Sequence, residues 1–201
     1  MPEKEKIADV KQGLATADDL RFTRYWWEVP VDEIATSREE TRQGKKWVPF
    51  AKGGRPFYHD ITLVVNWGND GEEIKSYKDA AGRLMSRPQN ESFYFRPGLA
   101  WAEVVSARRL ETYSVPEGVI CGHTAHEVYP INLEQSLRIK SLLVSSIVSE
   151  ILRCLDPLSH HRPSGYVALV PVPDLRLADK LSKKAHEAHD LLREWATGGR
   201  N

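Results

Sequence analysis

The distribution of turn-forming residues changes sharply along this chain of 201 residues. As far as residue 121, glycine, proline and asparagine interrupt short aromatic and β-branched runs, of which residues 60–67 (DITLVVNW) form the clearest strand. From residue 133 onward, aliphatic residues recur every three or four positions, first over residues 133–155 and then over residues 177–195. The sequence therefore predicts an α+β fold: a mainly antiparallel, partly barrelled sheet followed by a buried helix and a C-terminal amphipathic helix.

The same patterns predict the remaining elements and their grouping. Further strands are predicted over residues 21–29, 46–50, 92–95, 100–106, 110–115, 119–121 and 166–172, and short polar helices over residues 32–43 and 72–81. We expect a polar lead-in over residues 1–12, one α+β domain over residues 13–173, and a helix over residues 174–201 that packs on this domain. Trp26, Trp67 and Trp101 are expected to be buried scaffold.

Composition excludes several classes of protein. No apolar run approaches the roughly 20 residues that a membrane-spanning helix needs. The charged N-terminus lacks the apolar core of a secretory signal, so we expect a cytoplasmic protein without a membrane partner. The two cysteines, Cys121 and Cys154, form no CxxC pair, which argues against a zinc knuckle or a redox motif.

Motifs for catalysis are missing from the sequence. It contains no GxGxxG, P-loop, GxSxG or HExxH pattern. His186 and His189 lie three residues apart on the predicted last helix, but a third and a fourth metal ligand are not evident, so we interpret them as part of an exposed helix face. Catalytic residues, a metal site and a cofactor site are therefore not expected in this chain.

The charge of the chain is balanced overall but unevenly distributed. Basic and acidic residues number 28 each, which argues against a non-specific nucleic-acid coat. Residues 41–109, however, hold twelve basic against seven acidic residues, an excess of five. This distribution predicts one basic face on a neutral protein.

Residues 42–58 (RQGKKWVPFAKGGRPFY) carry the strongest functional signal. They contain five cations and no acid, with four aromatic residues interleaved. The cations could neutralise phosphates while the aromatics stack on bases, and Gly53-Gly54 would let a ligand approach the backbone. The alternative is a strand–loop–strand with core aromatics and a solvated basic edge.

Residues 82–90 (GRLMSRPQN) carry the second signal. Arginine pairs with guanine, and asparagine or glutamine pairs with adenine, in the major groove of DNA. Arg83, Arg87, Gln89 and Asn90 could supply such contacts from a loop before a strand. The alternative is an ordinary polar loop.

Several motifs occur in a familiar order along residues 13–175. They are GLATADDLRFTRYWWEV at 13–29, KWVPFAKGG at 46–54, VVNWGNDGEEI at 64–74, SRPQN at 86–90, FYFRPGLAW at 93–101, VPEG at 115–118 and LVPVP at 169–173. Together they resemble the C-terminal target-recognition region of adenine-specific DNA methyltransferases of the BREX, or phage-growth-limitation, type. Ala17 stands where that family usually has glycine, and residues 55–60 also depart from its pattern.

The resemblance implies a DNA-binding target-recognition module that is not catalytic alone. It implies duplex DNA as a partner and a separate methyltransferase catalytic subunit or domain that binds S-adenosylmethionine and methylates adenine N6. Residues 156–159 (DPLS) begin like the catalytic tetrapeptide but lack its second proline and its aromatic residue. Two sets of residues would touch DNA. The phosphate contacts would be Lys45, Lys46, Lys52 and Arg55, and the base contacts Arg83, Arg87, Gln89 and Asn90.

Two other functions remain possible from the sequence. A truncated methyltransferase fragment could serve as a protein–protein docking module, and a small metal-dependent nuclease is a third reading that the missing motifs argue against. Salt-sensitive affinity for DNA would separate the first function from the second, because phosphate contacts weaken as salt rises.

Overall fold

A computed structural model describes residues 6–104, 109–157, 160–173 and 179–198. The strands in these ranges are β1 (Ala8–Lys11), β2 (Thr23–Tyr25), β3 (Trp47–Ala51), β4 (Leu63–Asn66), β5 (Gly98–Ala102), β6 (Thr112–Val115), β7 (Ile120–Cys121) and β8 (Ala125–Pro130). The helices are α1 (Asp19–Phe22), α2 (Arg38–Arg42), α3 (Gly68–Lys75), α4 (Ser136–Leu143), α5 (Ser146–Leu155), α6 (Ser164–Val167) and α7 (Asp179–Thr197).

The strands form two sheets of four strands each. The first sheet has the order β1-β8-β5-β6 and is antiparallel throughout. The second has the order β2-β4-β3-β7, in which only the β3–β7 pair is parallel. The predicted α+β class and the mainly antiparallel pairing are confirmed, but neither sheet closes into a barrel.

Three apolar clusters fill the interior. The second sheet packs its inner face around Trp67 and Phe50, and the first sheet packs Trp101 and Val128 against α4, α5 and α6. The third cluster includes Tyr113 together with residues of both sheets, which joins the two halves. The buried positions of Trp67 and Trp101 confirm the expected scaffold, whereas Trp26 is 46% exposed, so that prediction was wrong.

Several predicted elements differ from the structure for local reasons. The predicted helix over residues 133–155 is broken into α4 and α5, because the side chain of Ser145 caps α5 by accepting a hydrogen bond of 3.3 Å from the Val148 amide. Residues 92–95 contribute to a 3-10 turn (Glu91–Phe93), and α6 ends within the strand predicted over residues 166–172. The strand predicted over residues 21–29 is instead split among α1, β2 and the 3-10 turn Trp26–Glu28.

The first sheet recruits a segment that was expected to be solvated. Residues 8–11, within the predicted lead-in, form β1 and pair with β8, so that part of the prediction was wrong. All six residues of β8 are buried, including His126 and Glu127. In the described ranges, no helix has both the length and the apolar character needed to cross a membrane.

Candidate nucleic-acid interface

The segment from Gln12 to Asp19 connects the two sequence signals. Near its start, the side-chain amide of Asn90 donates a hydrogen bond of 2.8 Å to the Gln12 carbonyl. The backbones of Ala15 and Arg87 then bond to each other in both directions, and the Lys52 ammonium pairs with the Asp19 carboxylate at the far end. Lys52, Arg87 and Asn90 therefore border one segment, which the sequence did not predict.

Three of the eight predicted contact residues are ion-paired with neighbouring acids. Lys45 binds Glu40 at 2.8 Å, Lys52 binds Asp19, and Arg83 binds Asp79 at 2.8 Å. The hydrogen bond from Lys45, reinforced by the Thr36 amide, lowers the pKa of Glu40 to about 2. Water reaches at least one partner of each pair and screens the attraction, so a phosphate can displace the carboxylate at little cost.

Four of the predicted residues keep their side chains available. Lys46, Arg55 and Arg87 are exposed and Gln89 is half-buried, and none of these side chains makes a hydrogen bond or an ion pair within the described ranges. The Lys46 ammonium lies 5.5 Å from the centre of the Trp47 ring, which orients it by a cation–π contact. Three free cations and one amide are thus presented to solvent by the two predicted segments.

The aromatic residues of the first segment belong mainly to the core. Trp47 is 8% and Phe50 2% exposed, so neither ring is open for stacking on a base. Gly53 and Gly54 have left-handed backbones, and a Cβ at Gly54 would collide with the Tyr113 ring, whose hydroxyl donates a 2.7 Å hydrogen bond to the Gly53 carbonyl. Gly54 therefore makes room for the Tyr113 ring, as in the alternative interpretation, whereas a Cβ at Gly53 would meet no neighbouring atom within 4 Å.

Part of the central positive charge is paired with an acidic side chain of the protein itself. Asn69, Asp70 and Gly71 all adopt positive φ angles, and this turn directs the Asp70 carboxylate toward the guanidinium groups of Arg38 and Arg42. Burial raises the pKa of Asp70, but hydrogen bonding to Arg42 and the charge of Arg38 outweigh it and lower the pKa overall. Of the twelve basic residues counted in residues 41–109, Arg42 is therefore already paired with an acid.

The first residues of the second segment lie in a hairpin. Lys78 and Leu84 form its bridge, and the Met85 amide bonds to the Tyr77 carbonyl at 3.0 Å. Leu84 is 61% and Met85 42% exposed beside Arg83. Apolar side chains next to a cation can insert between base steps from the minor groove. The sequence signal for this feature, two large apolar residues in a loop of polar neighbours, was not used in the predictions.

A second exposed surface was also missed. We define the aromatic patch as Tyr25, Trp26 and Trp27, which are 46%, 46% and 57% exposed. The rings of Tyr25 and Trp27 stack 4.6 Å apart, because the 3-10 turn Trp26–Glu28 brings the side chains to one side of the chain. Leu20, which is 90% exposed, lines a groove with Tyr25. The carboxylates of Asp19 and Glu28 line the same groove.

Comparison with known proteins agrees with the resemblance seen in the motifs. No family model matches the chain. It is 30% identical over 194 residues to the adenine-specific methyltransferase PglX of Lacticaseibacillus casei (strain Zhang), an alignment that covers 92% of this chain and 15% of that protein. The chain is therefore related to BREX-type adenine-specific methyltransferases over most of its length, and it spans about 15% of the length of this relative.

Proposed function

We propose that this chain is the DNA-binding target-recognition module of an adenine-specific (N6) DNA methyltransferase of a phage-defence system, and that it is not catalytic alone. The observation that carries the proposal is the similarity to PglX, which extends over 92% of the chain. A separate catalytic subunit or domain would bind S-adenosylmethionine, and this module would hold duplex DNA and select the site.

The first candidates for phosphate binding are the cations that form no ion pair within the described ranges. Lys46 and Arg55 are exposed and free of ion pairs within the described ranges, so they contact phosphates without breaking an existing bond. Lys45 and Lys52 exchange the carboxylates of Glu40 and Asp19 for phosphate oxygens. These contacts position the module but do not read sequence.

The second segment, residues 82–90, would contact the bases. The Arg87 guanidinium projects from a backbone fixed at Ala15, so its two-pronged donor face is available for guanine. Gln89 is the matching amide for adenine, and Arg83 approaches from the hairpin. Asn90 donates to Gln12 and has a left-handed φ of 55°, so it mainly holds the loop in place.

Fluorescence anisotropy with a mixed-sequence duplex at low and moderate salt tests this proposal. Neutralising the four phosphates assigned to Lys45, Lys46, Lys52 and Arg55 predicts a loss of affinity of roughly a hundredfold between about 50 and 200 mM salt. Such a steep fall supports the DNA module. A chain that fails to bind duplex DNA at the lower salt concentration refutes it.

The aromatic patch favours a second candidate, the protein-docking module. Three neighbouring exposed aromatic side chains suit a protein surface with an apolar centre, and the adjoining groove offers the carboxylates of Asp19 and Glu28 and the guanidinium of Arg24 to its polar rim. The test is biolayer interferometry against a purified PglX-type methyltransferase that lacks the region similar to this chain. Trp27→Ala should abolish binding, and Trp195→Ala, at a tryptophan 77% exposed on α7, is the matched control. Equal binding by both variants would exclude the patch.

A further inference from the structure

Helix α7 gathers three metal-ligating side chains on one face. His186, His189 and Asp190 occupy positions i, i+3 and i+4, which lie next to one another on a helix surface. One ligand atom from each residue lies within 4.8 Å of the other two. Sequence reasoning had found only the two histidines, because the third ligand is the residue adjacent to His189 and no motif marks it.

The three side chains converge on one carboxylate. The Nε2 atom of His186 lies 3.3 Å from Asp190 Oδ2, and the Nδ1 atom of His189 lies 3.1 Å from Asp190 Oδ1. The two imidazole rings are nearly parallel, at an interplanar angle of 3°. Each histidine therefore directs one ring nitrogen toward the Asp190 carboxylate, His186 toward Oδ2 and His189 toward Oδ1.

The ligand atoms of the three residues lie close enough together to surround a transition-metal ion. Ligand atoms about 2.1 Å from a tetrahedral ion lie about 3.4 Å from one another, and one ligand atom from each of the three residues already lies within 4.8 Å of the other two. Two neutral imidazoles and one carboxylate are ligands that zinc accepts, and three protein ligands leave positions for water.

Neighbouring groups both oppose and support an ion at this place. The Arg193 guanidinium is 3.9 Å from Asp190 Oδ1 and competes for the carboxylate, but this surface ion pair is weak. On the other side, the His189 ring packs edge-on against Tyr58, with ring centres 5.8 Å apart. This contact holds His189 in one orientation before any ion arrives.

We propose that His186, His189 and Asp190 form a binding site for a divalent transition-metal ion of the Zn²⁺ class. The ion links two successive turns of α7 and fixes the His189 ring against Tyr58, which follows the basic segment of residues 42–58. The site does not depend on the proposed DNA-binding function, since neither its ligands nor its contacts include a predicted DNA-binding residue.

Isothermal titration of the untagged full chain with ZnCl₂ tests the proposal. The titration uses a Cys154→Ser background, because Cys154 is exposed and its thiol could bind zinc separately. We expect one equivalent of zinc with a dissociation constant in the micromolar range, and a rise in Tm on zinc addition. His186→Gln should weaken binding by at least about tenfold, because the remaining two ligands form an incomplete site.

The controls separate loss of a ligand from loss of structure. His186 is exposed, so its replacement by the good helix former glutamine should leave the circular dichroism spectrum of the chain unchanged. Asp190→Asn is a second ligand variant with the same expected loss, and His160→Gln changes an exposed histidine outside the cluster and should keep full affinity. Absence of saturable zinc binding, or equal affinity in His186→Gln and His160→Gln, overturns the site.

Discussion

Ala15 and Arg87 are joined by a reciprocal pair of backbone hydrogen bonds, 3.0 Å from the Ala15 amide and 2.9 Å from the Arg87 amide. The bonds fix the backbone of Arg87, while its side chain remains exposed and without a hydrogen-bonded or ion-paired partner in the described ranges. The arginine side chain is thus available for recognition and is not needed to hold the loop.

We therefore expect Arg87→Ala to lower specific DNA affinity without changing the fold. Loss of a two-pronged contact to guanine should cost about 1–3 kcal/mol on the preferred site, and less on unrelated duplexes. Competition anisotropy with both kinds of duplex, once the site is selected, measures the two losses. Equal losses on all sequences would show that Arg87 contacts a phosphate, and a lowered Tm would show that its side chain supports the loop.

Arg55 should behave differently, because we assign it to a phosphate. Arg55→Ala is expected to weaken binding to all duplexes alike and to reduce the slope of log affinity against log salt by about one. The measurement is anisotropy over a salt series. Arg153→Ala is the matched control, since Arg153 is an exposed arginine on α5, outside the predicted interface. An unchanged slope in Arg55→Ala would remove this residue from the DNA contacts.

The central strands were predictable because their side chains follow simple rules. β3 and β4 are β-branched or aromatic runs stopped by glycine, and β5 to β7 follow similar signals. β8 was missed because it is buried on both faces and yet contains His126 and Glu127, so it shows no alternation of apolar and polar residues. Its pairing with β1 depends on contacts between distant parts of the chain, which local patterns do not contain.

The candidate interface was likewise predictable in its residue types but not in its long-range contacts. The sequence identified the cations, but only the fold decides that Asp19 pairs with Lys52 while Arg55 makes no ion pair with any residue that the structure describes. The aromatic run before Pro30 illustrates a second limit. Its residues have strand propensity, yet Trp26 and Trp27 lie in a 3-10 turn and face solvent, because the antiparallel partner of β2 extends only as far as Leu63.

Glu127 should make stability depend on pH. Burial raises the pKa of this carboxyl to about 7 against the opposing effect of hydrogen bonds with Cys121 and Tyr129. Between about pH 4.5 and 7 the folded state keeps a proton that the unfolded state releases, so this contribution to stability is full below pH 4.5 and falls as pH rises through 7. The total change is up to about 3 kcal/mol.

Glu127→Gln removes this titration, because glutamine imitates the protonated acid and still accepts a hydrogen bond from Tyr129. We expect the variant to match the wild type in free energy of unfolding at pH 5 and to exceed it at pH 8. Urea denaturation at the two pH values gives the difference directly. If the difference in free energy of unfolding between the variant and the wild type is the same at both pH values, Glu127 does not hold a proton in the folded state.

Ala17 is expected to carry backbone strain that glycine would relieve. Its φ is 64°, in the left-handed region, and it is exposed in the turn between Thr16 and the Asp18 cap of α1. Alanine in the left-handed conformation costs about 1–2 kcal/mol, which glycine would relieve. Glycine also has greater freedom in the unfolded chain, which offsets about 0.4–1 kcal/mol of this stabilisation. Ala17→Gly should therefore stabilise the protein by about 0.5–1 kcal/mol in urea denaturation.

The position also tests the relationship to the methyltransferases, since the family pattern places glycine where this chain has Ala17. A stabilised Ala17→Gly variant would mean that the turn keeps the family's backbone conformation and that alanine is tolerated there at a cost. Ala168→Gly serves as the control, because Ala168 is exposed with an ordinary helical φ of −64° and the same substitution should destabilise. Destabilisation by both substitutions would show that the left-handed turn at Ala17 is not the conformation in solution.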